Sequence, residues 1–308
     1  MRMRLSGRHH SVIRRTTGEQ VFDAANVLFM LLLSFVMLYP FWYVIVYSLN
    51  ESQNARAGGL WFWPRKLTLA NYRYVILNRV VAKSYFITIA RTLLGSTLHL
   101  VVTGLAAYAL SKRYLPGRKA ITYFLIVPMF IGGTIVSNYV VIAKLHLLNN
   151  FLVYVLPGAF SFFMMAIARA FIEEIPASME ESAKMDGAGY LRIFFQLIIP
   201  LCMPIIATIL IFAGVGHWLD FYSNLLYVND QKLFVLQFLL YRLIQASTFN
   251  SMAGAMNQAA MQSVRENQIT AETVKMTTLV VITVPILFIY PFFQKYIVKG
   301  VLIGAIKE

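Results

Sequence analysis

The 308-residue sequence is 59% hydrophobic and only 13% charged, with a mean hydropathy of +0.66, which excludes an ordinary soluble globular domain and points to a multi-pass membrane protein. A formal net charge of +14 would indicate nucleic acid in a soluble chain; in a membrane chain it follows from the cytoplasmic excess of Lys and Arg and from anionic lipid, so lipid is an expected partner and nucleic acid is not. A single cysteine, Cys202, excludes an internal disulfide, no Cys/His cluster has metal-ligand spacing, and the G-x-x-x-x-G-K-[ST] pattern of an ATP-binding loop does not occur.

Residues 1–24 carry Arg2, Arg4, Arg8, Arg14 and Arg15 ahead of an apolar run at 25–49. The run is too long for the apolar core of a secretory signal and lies too far from the small-residue site Ala55-Arg56-Ala57, so it predicts an uncleaved first transmembrane helix with a cytoplasmic N-terminus. Residues 50–83, with Trp61, Phe62 and Trp63, read as an aromatic belt at the outer interface. This outer segment also holds six Lys or Arg, against the usual asymmetry, which is either chance or a basic surface facing something acidic. The second span, 84–110, contains Arg91 and His99. A charge within a span costs about 2.5–3.5 kcal/mol on insertion scales, so Arg91 should face a partner helix or an aqueous cavity, unless it snorkels to the headgroups. The turn at 111–119 has four basic residues, Lys112, Arg113, Arg118 and Lys119, and belongs in the cytoplasm.

A third span is expected at 120–145, interrupted by Pro128 and Gly132-Gly133 and carrying Asn138, with an outer turn at 146–150. A fourth, 151–172, contains Pro157 and the aromatics Phe160, Phe162 and Phe163, which serve either packing or the stacking of a sugar ring. The fifth, 201–215, is short and ends in His217-Trp218-Leu219-Asp220-Phe221. The apolar run at 233–244 is too short to span and contains Arg242, so it is expected to be interfacial or buried in protein. The polar stretch 245–273 reads as helical in pieces, and the last span covers 276–296. The expected architecture is an all-α membrane protein with six transmembrane helices over 25–297, outer loops at 50–83 and 218–273, and a cytoplasmic tail at 298–308.

The long polar insert, residues 173–204, is dense in carboxylates and carries its own start and stop signals. Pro176 suits a helix start, Glu173 and Glu174 suit the positive end of its dipole, and Gly187 and Gly189 allow a left-handed exit. A helix of about three turns, a Gly-Ala-Gly corner and a second helix from Tyr190 are predicted, with Pro200 and Pro204 bending the chain into the next span. Ile175, Met179 and Ala183 form one apolar stripe, while Glu180, Glu181, Lys184 and Asp186 occupy other faces. So short a helix needs a partner surface.

This insert resembles the EAA loop of binding-protein-dependent ABC importer permeases: Glu181, Ser182 and Ala183, then Gly187, then Leu197, Ile198, Ile199 and Pro200 keep every spacing. It departs in having Ser182 for the middle Ala, and Leu197 and Ile199 for the usual Ile and Leu. Ala106-Ala107-Tyr108-Ala109-Leu110, Trp218, Asp220-Phe221 and the run from Val284 to Gly300 resemble the maltose-type carbohydrate permeases, closest to importers of oligosaccharides released from polysaccharides such as alginate and rhamnogalacturonan. The resemblance implies a type I ABC importer permease fold in the bacterial cytoplasmic membrane with both termini cytoplasmic. It implies a second permease subunit in a heterodimer, two ATPase subunits carrying ATP and Mg, and an extracytoplasmic sugar-binding protein; this chain binds no cofactor itself.

The ATPase-coupling residues would be Glu180, Glu181, Ser182, Ala183, Asp186 and Gly187, with Glu181 pairing with a basic residue of an ATPase groove. Candidate substrate-path residues are Arg91, Asn138, Phe160, Trp218 and Asp220, and candidate binding-protein contacts are Asn250, Asn257 and Gln258. The implied substrate is an oligosaccharide, with an acidic one suiting the basic outer segment. A permease for a peptide or amino acid remains the alternative reading. An ion-coupled transporter is disfavoured because no Asp or Glu falls inside an expected span, and a membrane enzyme because acid, base and metal residues are not grouped.

Overall fold

The structure, a computed structural model, describes residues 16–256 and 270–305. The described elements are helical, and the β pairing among them is one isolated antiparallel bridge between Asn50 and Leu67.

Helix α1 (Thr17–Ser48) opens on a capping box in which the Thr16 hydroxyl accepts from the Glu19 N–H at 3.3 Å and the Glu19 carboxylate accepts from the Thr16 N–H at 2.8 Å. Its length of about 48 Å exceeds the roughly 30 Å hydrocarbon core. Nearly all its apolar side chains are exposed, and burial begins only at Val46, Tyr47 and Ser48 in the last turn. Beyond it, α2 (Ser52–Arg56) and α3 (Ala70–Leu77) are knotted together by amides. The buried Asn71 side chain donates to the carbonyls of Ser48 and Asn50, both at 2.9 Å, and accepts from the Ser52 hydroxyl at 3.0 Å. Trp61 and Trp63 are exposed, and Trp42 on α1 donates to the Phe62 carbonyl at 2.9 Å, which anchors the aromatic belt to the first helix.

Helix α4 (Arg79–Ser111) is capped by Asn78, whose side chain accepts from the Val80 N–H at 2.9 Å. Its buried face is built from small or polar residues, among them Ser84, Thr88, Gly95, Thr103, Gly104 and Ala107, which let neighbouring helices approach closely. Gly95 is required: a Cβ there would lie 2.4 Å from the His217 ring.

The span expected at 120–145 is two helices, α5 (Arg118–Phe130) and α6 (Ile135–Lys144), meeting at 119°. The Asn138 side chain lies over Gly133, where a Cβ would meet its Oδ1 at 2.6 Å, and Thr134 starts a new helix by accepting from the Ser137 N–H at 3.2 Å. The fourth expected span, 151–172, is not a membrane-length helix. A 3-10 turn, Phe151–Tyr154, is followed by turns through Pro157 and Gly158, and α7 (Phe162–Glu173) then has only 12 residues. That is about 18 Å, well short of the hydrocarbon thickness.

Helix α8 (Ala177–Met185) and the short α9 (Tyr190–Ile193) flank the glycine corner. A π-helical turn, Phe194–Ile198, and α10 (Ile199–Leu201) follow, and the chain turns by 90° into α11 (Met203–Leu219). The break falls at Cys202, between Pro200 and Pro204, where two N–H groups are missing from the helical ladder.

Next come α12 (Tyr222–Tyr227), a 3-10 turn at Gln231–Leu233, and α13 (Leu236–Met256). The run expected at 233–244 is buried in protein, as the first half of a longer helix: Leu236 and Leu240 pack with Val81 and Tyr85 of α4 and with Ile282 of α14 (Ala271–Ala305). Helix α14 continues without a break into the segment expected to be a tail.

Among the described residues, α1, α4 and α14 are long and apolar enough to cross a membrane, and the bent pairs α5–α6 and α9–α11 raise the number to five if each is one span. Six were expected, and three to five meet that test among the described residues; the expected span at 151–172 has no membrane-length helix. One core gathers Tyr108, Met165, Ala168, Phe194, Ile198 and Ile209, and a second gathers Ile142, Val153, Val235 and Phe238. Replacing Asn71 by Ala strips partners from two carbonyls and a hydroxyl, and should destabilise the protein by about 1–3 kcal/mol, read as a fall in Tm of the detergent-solubilised protein.

Candidate functional site

Helix α8 ends in a Schellman motif. The Gly187 N–H donates to the Lys184 carbonyl at 2.9 Å and the Ala188 N–H to the Ala183 carbonyl at 3.0 Å, with Gly187 at φ 78°. Ala183 and Ala188 are partly buried on the core around Phe194, completing the apolar contact of that motif. Glu181, Ser182, Asp186 and Gly187 are exposed, and Met185 is 88% exposed. The helix thus presents one polar and sulfur-tipped face outward.

Its other face is held by the chain itself, and Glu180, expected with the outward-facing coupling residues, lies on this inner face and is spent on partners within the chain. Glu180 takes an ion pair from Lys112, a hydrogen bond from the Tyr108 hydroxyl at 3.0 Å, and a second ion pair from Lys184 at 3.3 Å. The Lys112 ammonium also lies 4.1 Å from the centroid of the Tyr108 ring, a cation–π contact made possible by their spacing of four on α4. Burial pushes the Glu180 carboxyl up, but the hydrogen bonds from Lys112 and Tyr108 outweigh it and hold the group below the ordinary carboxylate value. A parallel tie joins Arg118 and Arg169 to Glu173, the second at 2.9 Å.

A second cluster lies at the far end of α11. Arg91 on α4 is 0% exposed, so it neither snorkels nor faces an open cavity. Its Nε donates to the His217 carbonyl at 2.7 Å, and its Nη2 donates to that carbonyl and, at 2.6 Å, to the carbonyl of Asp220. The Asp220 carboxylate lies 3.3 Å away and the Tyr154 ring 5.1 Å from the guanidinium carbon. These carbonyls belong to the last turn and cap of α11, where no intrahelical donor is available; a cation at that end is also favoured by the helix dipole. The same carboxylate accepts from the N–H groups of Tyr222 at 2.9 Å and Ser223 at 3.1 Å, starting α12. Trp218 is buried and donates to the Ile282 carbonyl of α14 at 3.1 Å.

Three of the five candidate path residues, Arg91, Trp218 and Asp220, therefore share one junction of α4, α11 and α14. Asn138 is exposed at the α5–α6 break, and Phe160 is half-buried against the core around Tyr108. The side chain of Asn250, and Asn257 and Gln258 altogether, lie outside the described residues. Sequence reading missed Tyr108 and Lys112 as the partners of Glu180, although their spacing of four on one helix was a usable signal.

The profile described as "Binding-protein-dependent transport system inner membrane component" matches residues 101–303. A polygalacturonan/rhamnogalacturonan transport system permease protein, YtcP, of Bacillus subtilis (strain 168) is 33% identical over 94% of this chain and 99% of its own. Protein LplC of the same organism is 32% identical over 96% of this chain and 98% of its own. Among solved structures, a bacterial ABC transporter involved in the import of the acidic polysaccharide alginate superposes with a TM-score of 0.81 at 26% identity, covering 92% of this chain and 98% of that one.

Because the Glu180 carboxyl is held below its ordinary value, its contribution to stability is complete at neutral pH and is lost only as pH falls through the lowered value. The Tm difference between the parent and Glu180→Gln should stay constant from about pH 8 to pH 6 and vanish in acid below the ordinary carboxylate range. Arg91→Leu should cost about 3 kcal/mol or more by leaving two carbonyls unpaired and Asp220 without its counter-charge, whereas Asp220→Asn, which keeps the carbonyl contacts, should cost about 1 kcal/mol; thermal unfolding in detergent ranks the two.

Proposed function

Because this chain belongs to the family of binding-protein-dependent transport system inner membrane components, we propose that it is the permease subunit of an ATP-driven importer that passes an oligosaccharide from a solute-binding protein to the cytoplasm. The carrying observation is α8 itself, an exposed helix with a glycine-made corner whose inner carboxylate is occupied by the chain and whose outer face is unoccupied by it. Helix α8 adjoins the basic turn at 112–119, which the positive-inside bias assigns to the cytoplasm, where ATPase subunits holding ATP and Mg would meet it. Closure of the ATPase pair would move α8 and bias the permease between inward-open and outward-open states. A full swing needs about 5.5 kcal/mol, while an exposed ion pair contributes at most about 1 kcal/mol. Glu181 must therefore act together with the apolar contact of Met185.

An acidic oligosaccharide is the substrate class we favour. Arg56, Arg65, Lys66, Arg73, Arg79 and Lys83 are all exposed on the outer segment, against the lone carboxylate of Glu51 in that stretch. Glu51 pairs with Lys66 at 3.0 Å, and the remaining cations give a positive surface at the outer mouth. The alginate importer and the pectic permease relative supply the same chemistry by analogy.

Co-purification with the partner subunits, followed by ATPase assays across a panel of oligosaccharides, tests this reading. Uronate-containing oligomers should stimulate hydrolysis through the binding protein, and equal stimulation by neutral oligomers would remove the acidic assignment. Glu181→Arg, or Gly187→Val, which strains a left-handed residue by about 1–2 kcal/mol, should each lower uptake about tenfold; unchanged uptake in both would refute the role of α8.

A further inference from the structure

We infer that Glu180, clamped by Lys112 and Tyr108, is a positioning residue that makes α8 and α4 one mechanical unit, so that a displacement of α8 is delivered to the junction at Arg91. This rests on the reading that α8 meets the ATPase.

Both oxygens of the Glu180 carboxylate are taken by the end of α4, one by Lys112 and one by Tyr108. The Lys112 and Glu180 side chains are each only 14% exposed, so the pair is shielded from the screening that makes surface ion pairs weak. Tyr108 is itself buried, with its ring 5.6 Å from that of Phe194, and cannot yield without disturbing the core shared by α4 and the π-helical turn. Successive residues on a helix are about 100° apart, so fixing Glu180 inward sets the outward direction of Glu181. Helix α4 then runs 17 residues from Tyr108 back to Arg91, about 25 Å of regular helix. There the guanidinium grips the last carbonyls of α11, and Trp218 passes the contact to α14. The clamp is thus the nearer end of a continuous chain of contacts, each a hydrogen bond or packed ring.

The test uses the whole complex in proteoliposomes, with Ser178→Cys as a cross-linking probe on the exposed first turn of α8; the native Cys202 is buried. Glu180→Lys and Lys112→Glu are compared singly and together. The single reversals should keep the cross-link to the ATPase and its hydrolysis, yet lose about tenfold in substrate moved per ATP, the factor that corresponds to about 1.4 kcal/mol of coupling. The double reversal should recover most of that loss. Parent-level transport per ATP in the singles, or a double no better than the singles, overturns the proposal. Should a reversal fail to assemble, Glu180→Gln, which keeps the shape of the side chain, decides: a loss of about threefold or more supports the clamp and parent values overturn it. Absence of the cross-link in the otherwise unaltered chain would instead defeat the docking of α8, and with it the proposal that rests on that docking.

Discussion

A guanidinium placed where water cannot reach must find its acceptors within the protein, and Arg91 dictates much of the half of this molecule around it for that reason. It takes two carbonyls that α11 would otherwise leave unpaired, one carboxylate and one aromatic face. In doing so it fixes where α11 ends, how α12 begins, and how closely α4 and α11 approach. Gly95, one turn along α4, is the steric counterpart of that choice, because the His217 ring fills the space a side chain would occupy. Charge and shape at this junction are two aspects of one constraint.

The opposite end of α4 obeys the same logic. Here Glu180 is matched by Lys112 from the turn that follows α4 and Glu173 by Arg118 from the start of α5. The basic turn therefore has a part in the folded protein as well as in the expected topology. Its charges are reused in the folded protein to orient α8, which leaves a different set of groups, Glu181 and Met185, facing outward.

Local signals carried far along the chain. The glycine corner at 187, the bend between Pro200 and Pro204, and the need of Arg91 for an internal partner all follow from backbone stereochemistry or from the cost of a buried charge, and all three are present in the folded chain. What could not be read were choices made by tertiary contact. The sharp turn between α5 and α6 depends on Asn138 folding over Gly133, and hydropathy registers only that both flanks are apolar. The late start of α7 is similar, since apolar composition at 151–161 does not distinguish a helix from turns packed against α12 and α13. The assignment of inner and outer carboxylates on α8 depends on residues some seventy positions away, beyond the reach of any periodicity.

The bare exterior of α1 bears on how the protein is made. Most of that helix shows bare apolar side chains, with its ties to the rest concentrated at Trp42, Tyr43, the final turn and the amide knot through Asn71, so lipid can solvate it along most of its length without help from its neighbours. Its place in the bundle is set by residues 50–77, which tether its end. Entry into lipid and docking on the bundle are thereby separable steps for this one helix.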